Sequence, residues 1–171
     1  MRRRFSAVLS LLLLLLSLSV QAHGFTLTDS AGKKLALSAY KGKWVLINFW
    51  ATWCPPCLKE IPDLVSLYES RKDVMVIGIA MDYRDPKTVM KFVNSLSISY
   101  PIVLGDKRIA SQIGPVSMLP TTYLFDPEGK PAAYKVGLVS RADLEEFMRG
   151  YASGSRSSKS DGTDQKKGKQ K

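Results

Sequence analysis

The sequence predicts a single α/β domain with a mixed central sheet flanked by helices, and three observations predict it. Two nearly continuous apolar runs, WVLINFW at 44–50 and VMVIGIAM at 74–81, have the length and β-branched content of strands buried on both faces. Between them Leu58, Ile61, Leu64, Val65 and Tyr68 recur at spacings of three and four, the stripe of an amphipathic helix. Later, TTYLFDPEGKPAAYKVG reads as two strands around the turn Asp126-Pro127-Glu128-Gly129, and a further helical stripe follows. Strands alternating with helices, then a closing hairpin and helix, are the signature of such a sheet.

The elements follow in order. Phe25 and Leu27, then Leu35 and Leu37, alternate around Asp29-Ser30-Ala31-Gly32, which predicts an N-terminal β-hairpin of two short strands. Lys41-Gly42-Lys43 is a second turn, and the first buried strand follows it at 44–50. From Pro55 a helix runs to about Arg71, with Pro62 inside it removing one backbone hydrogen bond. After the strand at 74–81, Asp85-Pro86 opens a second helix with Val89, Phe92, Val93 and Leu96 on one face. YPIVLGD at 100–106 is a short connection or strand, and a brief helix lies near 108–112. The last helix begins at Ser140, where Asp143 three residues on makes a variant capping box and Leu144, Phe147 and Met148 form the apolar face.

The two ends are of a different kind. Arg2, Arg3 and Arg4 precede an apolar stretch of about 14 residues, with Val20 and Ala22 as small residues at its end. This pattern predicts a secretory signal peptide over 1–22, too short for the ~20 residues that span a bilayer. The mature domain then covers 23–152 and is exported to the periplasm; an uncleaved signal would hold it at the membrane on the same side. Residues 153–171 contain no large apolar side chain and are expected to form a disordered basic tail. The formal charge of +10 belongs largely to these ends: three arginines at the start and a net four positive charges in the tail leave three for the middle, from 16 basic and 13 acidic residues. That is an ordinary solvated surface, and it argues against a nucleic-acid partner.

The only two cysteines, Cys54 and Cys57, stand in FWATWCPPCLKEIP, where a buried strand gives way to a helix. In an oxidising compartment a close pair can be a bridge, but a purely structural one would close a four-residue loop, which constrains the unfolded chain least. A helix N-terminus lowers a cysteine pKa and favours the thiolate. Cys54 is therefore expected to be the attacking thiol, with its sulfur exposed beside Trp53, and Cys57 the resolving thiol one turn deeper. With Cys54 as N-cap, Pro55 and Pro56 fill the first two helical positions and remove two N–H donors, leaving the Cys57 N–H as the main local donor to sulfur. This predicts a moderate pKa depression and a lean toward reduction. Glu60, three residues past Cys57, is a candidate proton shuttle; the alternative is a solvent-facing helix residue.

WCPPC at this junction, Glu60 and Pro62 after it, and LPTTYLFD at 119–126 together resemble the thioredoxin superfamily. More narrowly they are similar to the exported TlpA/ResA-type thiol–disulfide oxidoreductases related to the cytochrome c maturation protein CcmG. The resemblance covers about residues 24–150 and implies a thioredoxin-like fold with a central helix–strand insertion at about 82–118. It implies that Pro120 is cis beside the active disulfide and that Leu119 offers backbone groups to an extended substrate, so that Trp53, Leu119 and Pro120 shape the substrate groove. It strengthens the catalytic reading of Glu60, because Asn48 stands where thioredoxin carries a buried aspartate, and an amide cannot exchange protons. Substrates would be protein disulfides, with apocytochrome c as the leading example, and electrons would come from a membrane donor of the CcdA/DsbD type. The chain would act as a monomer without a cofactor.

Three rivals share the fold. A copper-binding Sco-like module would need cysteines three apart and a histidine ligand, whereas the spacing here is two and the single histidine is His23. A peroxiredoxin would need an activating threonine and arginine around one cysteine. A disulfide-forming oxidase or isomerase keeps the same residues and reverses the direction of electron flow.

Overall fold

The computed structural model describes residues 24–160. The signal-peptide reading of 1–22, His23 and the tail from 161 onward lie outside the described residues. Five strands form one sheet in the order β5-β4-β3-β6-β7: β3 (Trp44–Trp50), β4 (Val74–Ala80), β5 (Ile102–Leu104), β6 (Thr121–Phe125) and β7 (Pro131–Val136). β4 is parallel to β3 and to β5, while β6 is antiparallel to both β3 and β7. The sheet is therefore mixed, and the apolar runs of β3 and β4 are buried at every position.

That complete burial follows from two covered faces. Trp44, Leu46 and Trp50 face helices α1 (Pro55–Ser70), α2 (Pro86–Ser95) and α4 (Arg141–Ser160), packing with Ile61, Leu64, Leu67, Val89, Leu144 and Met148. Val45, Ile47 and Phe49 point the other way, toward the hairpin of β1 (Thr26–Thr28) and β2 (Lys34–Ala36) and the short α3 (Lys107–Ala110). Because side chains alternate along a strand, one sheet serves two cores.

The expected elements are present, with three boundary differences. Leu37, expected in the second hairpin strand, opens a 3₁₀ turn over Leu37–Tyr40, and its N–H is drawn to Phe25 O at 3.1 Å. The connection at 100–106 resolves into β5, an added edge strand; with α2 it forms the central helix–strand insertion. The last helix continues to Ser160, eight residues beyond the boundary expected at 152. The final stretch, SGSRSSKS, offers no large apolar residue for a core, but it extends a helix already nucleated by packing upstream. The helix start matches expectation: Asp143 N–H donates to Ser140 Oγ at 3.2 Å and Ser140 N–H to Asp143 Oδ2 at 3.3 Å.

The inserted strand depends on a glycine. Gly105 N–H donates to Ala80 O at 2.8 Å, closing β5 against the end of β4. A Cβ there would lie 2.7 Å from Met81 Sδ and 3.0 Å from Ala80 O, and would also overlap Ile79 Cγ2. Gly105→Ala should destabilise the domain by about 1–3 kcal/mol, the usual cost of overpacking. Urea denaturation checks this, and a variant as stable as the parent would contradict the packing described.

Candidate active site

Strand β3 delivers the chain through Ala51, Thr52 and Trp53 to the start of α1, where Cys54 is the N-cap in extended conformation (φ −97°, ψ 102°). Pro55 and Pro56 take the first helical positions, so the Cys57 N–H is the donor that reaches Cys54 Sγ, at 3.3 Å. The two cysteines form a disulfide, with Cα atoms 5.3 Å apart.

Cys54 is only 4% exposed, against the expectation of an exposed sulfur, and Cys57 is fully buried. The N-cap residue sits at the inner wall of a groove of about 510 Å³ whose rim does the shielding: Trp53, Pro56, Met81, Met118 and Leu119 line it. Trp53 and Met118 are 60% and 63% exposed, the two most open large hydrophobic side chains among the described residues. The Trp53 indole N–H donates to Asp82 O at 3.2 Å, which holds the ring at the groove edge. Leu119 also lines the groove, and neither its N–H nor its carbonyl takes part in a backbone–backbone hydrogen bond among the described loop residues. The Leu119–Pro120 peptide is cis. Pro120 itself is buried behind Leu119 rather than lining the groove, with its carbonyl accepting the Gly137 N–H at 2.8 Å.

Glu60 is not a solvent-facing residue. It is 1% exposed and sits one helical turn past Cys57 on the inward face of α1, where residues three apart have Cβ atoms about 5–6 Å from each other. Its Oε1 accepts from Asn48 Nδ2 at 2.7 Å and its Oε2 from the Val139 N–H at 3.0 Å. Asn48 Nδ2 also donates to Thr122 Oγ1 at 3.1 Å. Burial pushes the Glu60 carboxyl up from 4.5 to about 6, against the opposing pull of the Val139 N–H, the Asn48 amide and the more distant Lys135 ammonium.

The structure brings Trp53, Cys54 and Leu119 together at the groove, with Cys57 and Glu60 buried on α1; Pro56, Met81 and Met118, which also line it, were not singled out from the sequence as groove residues. Sequence reasoning placed Asn48 only as an amide where thioredoxin has an aspartate, not as a partner of Glu60, and it passed over Thr122 and Val139. The signal for Asn48 was a single polar residue inside WVLINFW; Val139 acts through its backbone, which no side-chain pattern reveals. Among the described residues, no three His, Cys, Asp or Glu side chains gather where they could hold a metal ion.

A disulfide set at the start of the helix that follows the central strand of a five-stranded mixed sheet makes this a thioredoxin-fold thiol–disulfide oxidoreductase. The AhpC/TSA family model matches residues 18–132. The thiol-disulfide oxidoreductase ResA of Bacillus subtilis (strain 168) is 38% identical over 128 residues, 74% of this chain and 72% of that protein. ResA of Geobacillus kaustophilus (strain HTA426) is 36% identical, covering 74% of each. Among solved structures, a DsbF homologue from Corynebacterium diphtheriae superposes with a TM-score of 0.68 at 28% identity, covering 74% of this chain and 83% of that one. A thioredoxin family thiol:disulfide interchange protein from Chlorobium tepidum TLS gives 0.66 at 28%, covering 74% and 91%. The chain belongs to the AhpC/TSA family, as a thioredoxin-like thiol–disulfide oxidoreductase of the ResA type.

The raised Glu60 value makes stability depend on pH in an unusual direction for a carboxylate. Between 4.5 and about 6 the folded protein holds a proton that the unfolded chain has released. Stability from this group is therefore full below 4.5 and is lost as pH rises through 6, by roughly 2 kcal/mol at ~1.4 kcal/mol per unit. Denaturation at pH 4.5 and pH 7 should show this loss in the parent and its absence in Glu60→Gln; equal pH dependence in both would assign it to another group.

Proposed function

We propose that this protein is an exported reductant of protein disulfides. In the forward reaction the Cys54 thiolate attacks one sulfur of a substrate disulfide, forming a mixed disulfide and releasing the first substrate thiolate. The Cys57 sulfur then attacks Cys54 Sγ, which re-forms the Cys54–Cys57 bond and releases the second thiolate. Two electrons pass to the substrate, and the two thiol protons end on its sulfurs. Glu60 takes the Cys57 proton as that buried thiol becomes a nucleophile, and returns it through solvent or substrate. Trp53 and Leu119 shape the binding surface, with Pro120 backing Leu119 from inside: Trp53 and Met118 give an apolar rim, and the free backbone groups of Leu119 suit an extended peptide added edge-on.

The observation that carries the reductant direction is the N-cap geometry. With Pro55 and Pro56 at the first two helical positions, the Cys57 N–H at 3.3 Å is the local donor to Cys54 Sγ. Fewer donors stabilise the thiolate less, and a reduced form that is less stabilised makes the couple a better electron donor. Resemblance to ResA and to CcmG-related proteins supports a role in cytochrome c maturation, with apocytochrome c cysteines as substrate and a CcdA/DsbD-type membrane protein as electron source. Export rests on the pattern of 1–22.

Equilibration of the Cys54–Cys57 couple in thiol–disulfide buffers tests the direction. A reduction potential near or below the ~−270 mV of thioredoxin is expected, whereas a value toward the ~−120 mV of DsbA would make the protein an oxidant. Cys57→Ser, which cannot resolve, should accumulate a covalent mixed disulfide with its substrate through Cys54. Recovery of that adduct from Cys54→Ser and not from Cys57→Ser would reverse the two roles.

A further inference from the structure

Asn48 lies on the α1 side of β3, between Leu46 and Trp50, and its Cα pairs directly with that of Thr122 on β6. Asn48 is completely buried and Thr122 3% exposed. One amide nitrogen serves two acceptors, Glu60 Oε1 at 2.7 Å and Thr122 Oγ1 at 3.1 Å, while Asn48 Oδ1 is buried without a partner. The amide thus presents its nitrogen, not its oxygen, to the carboxyl and the hydroxyl. A reversed amide would turn its oxygen on the carboxylate and place two N–H groups where the carbonyl now stands, so the donor orientation is the one that suits an ionised Glu60. Both carboxyl oxygens are faced by N–H donors, Asn48 on one side and Val139 on the other. Protonating the group must weaken one of these bonds, because a hydrogen bond to a charged acceptor is the stronger kind.

We propose that Asn48 is the positioning residue of this site: its amide pins the Glu60 carboxyl to the β3–β6 strand pair and holds it in the form that can accept a proton inside the core. The proposal rests on the reading of Glu60 as proton carrier for Cys57. It also gives the strand asparagine a role beyond that of an aspartate's inert replacement: the carboxyl comes from the helix and the strand supplies the donor that orients it. Two other ionisable groups bear on Glu60 from the elements around it, Lys135 on β7 and Tyr100 ahead of β5, while Cys57 on α1 itself is held in the disulfide. Lys135 is half exposed and lies 3.9 Å from Asp143 Oδ2, which divides its attraction. Tyr100 is buried and its phenol is pushed up, so it stays neutral across the range in which Glu60 titrates. The Asn48 amide is the contact that is both direct and buried.

The test replaces the donor while keeping the shape. In the oxidised protein, where no thiol titrates, the Glu60 side-chain carboxyl is followed by carbon-13 NMR against pH in the parent, Asn48→Leu and Asn48→Ser. Asn48→Leu is expected to raise the Glu60 midpoint by about one unit or more, a tenfold or greater increase in proton affinity, and Asn48→Ser, with a shorter donor, by less. An unchanged midpoint in Asn48→Leu, even with lost stability, overturns the proposal and leaves Asn48 a purely structural residue. If Asn48→Leu does not fold, Asn48→Ser alone decides by the same criterion. The pH profile of Cys57 alkylation in reduced Glu60→Gln separates the two ideas: a midpoint that moves in Asn48→Leu beside an unaltered alkylation profile in Glu60→Gln upholds the positioning and removes the proton-carrier role.

Discussion

A single buried carboxyl group ties the site to the fold. Glu60 projects from α1 into the core beneath the disulfide and meets an amide from β3 and a backbone N–H from the segment after β7. An isolated carboxylate is costly to bury, and here the cost is offset because two distant stretches of chain each bring it a donor. The same bonds that make the charge tolerable also fix α1 against the sheet. The group consequently remains titratable at about 6, within the range in which an acid–base group is useful near neutral pH.

The disulfide depends on a second convergence. The complete burial of β3 carries the chain to a point where it must turn, and the N-cap geometry of Cys54 makes that turn the beginning of a helix. Pro55 and Pro56 fit because the first helical turn has no intrahelical use for their missing N–H groups. The cost falls on the thiolate, which loses donors. One local choice therefore stabilises the helix start and tunes the sulfur chemistry. Around it, Trp53 and Met118 leave apolar surface open to solvent, which is unusual for side chains of their size.

The inserted segment explains how this surface is built. α2 and β5 add an edge to the sheet next to β4, and Gly105 lets β5 close onto Ala80. The residues that follow, including Val116 and Met118, then form the far wall of the groove facing Trp53. Strand β6 holds the same segment from the other end: Tyr123 O–H donates to Pro115 O and Thr121 Oγ1 to Met118 O, each at 2.6 Å.

Much of this was legible in one dimension. Strand and helix periods identified the elements because each is packed on a face dictated by its own pattern: β3 and β4 are apolar throughout since both faces are covered, and α1 is striped since one face is. WCPPC and its position at a strand–helix boundary identified the chemistry, because N-cap geometry is a local property. What the sequence could not decide was every feature made by residues far apart in the chain. Helical spacing puts Glu60 on the side of Cys57 and Leu64, but a lone acidic residue there does not by itself reveal that it is buried with partners rather than turned to solvent. Nor does the spacing say that Asn48, 12 residues earlier, and Val139, 79 residues later, are its partners. The Cys54 sulfur was likewise expected to be exposed beside Trp53; residues 81 and 116–119, brought across by the sheet, line the groove over it. By itself the sequence determined the fold class and the redox pair. Tertiary structure alone decided the burial and hydrogen bonding that set the properties of the site, because desolvation and donor geometry depend on segments that meet only when the sheet is assembled.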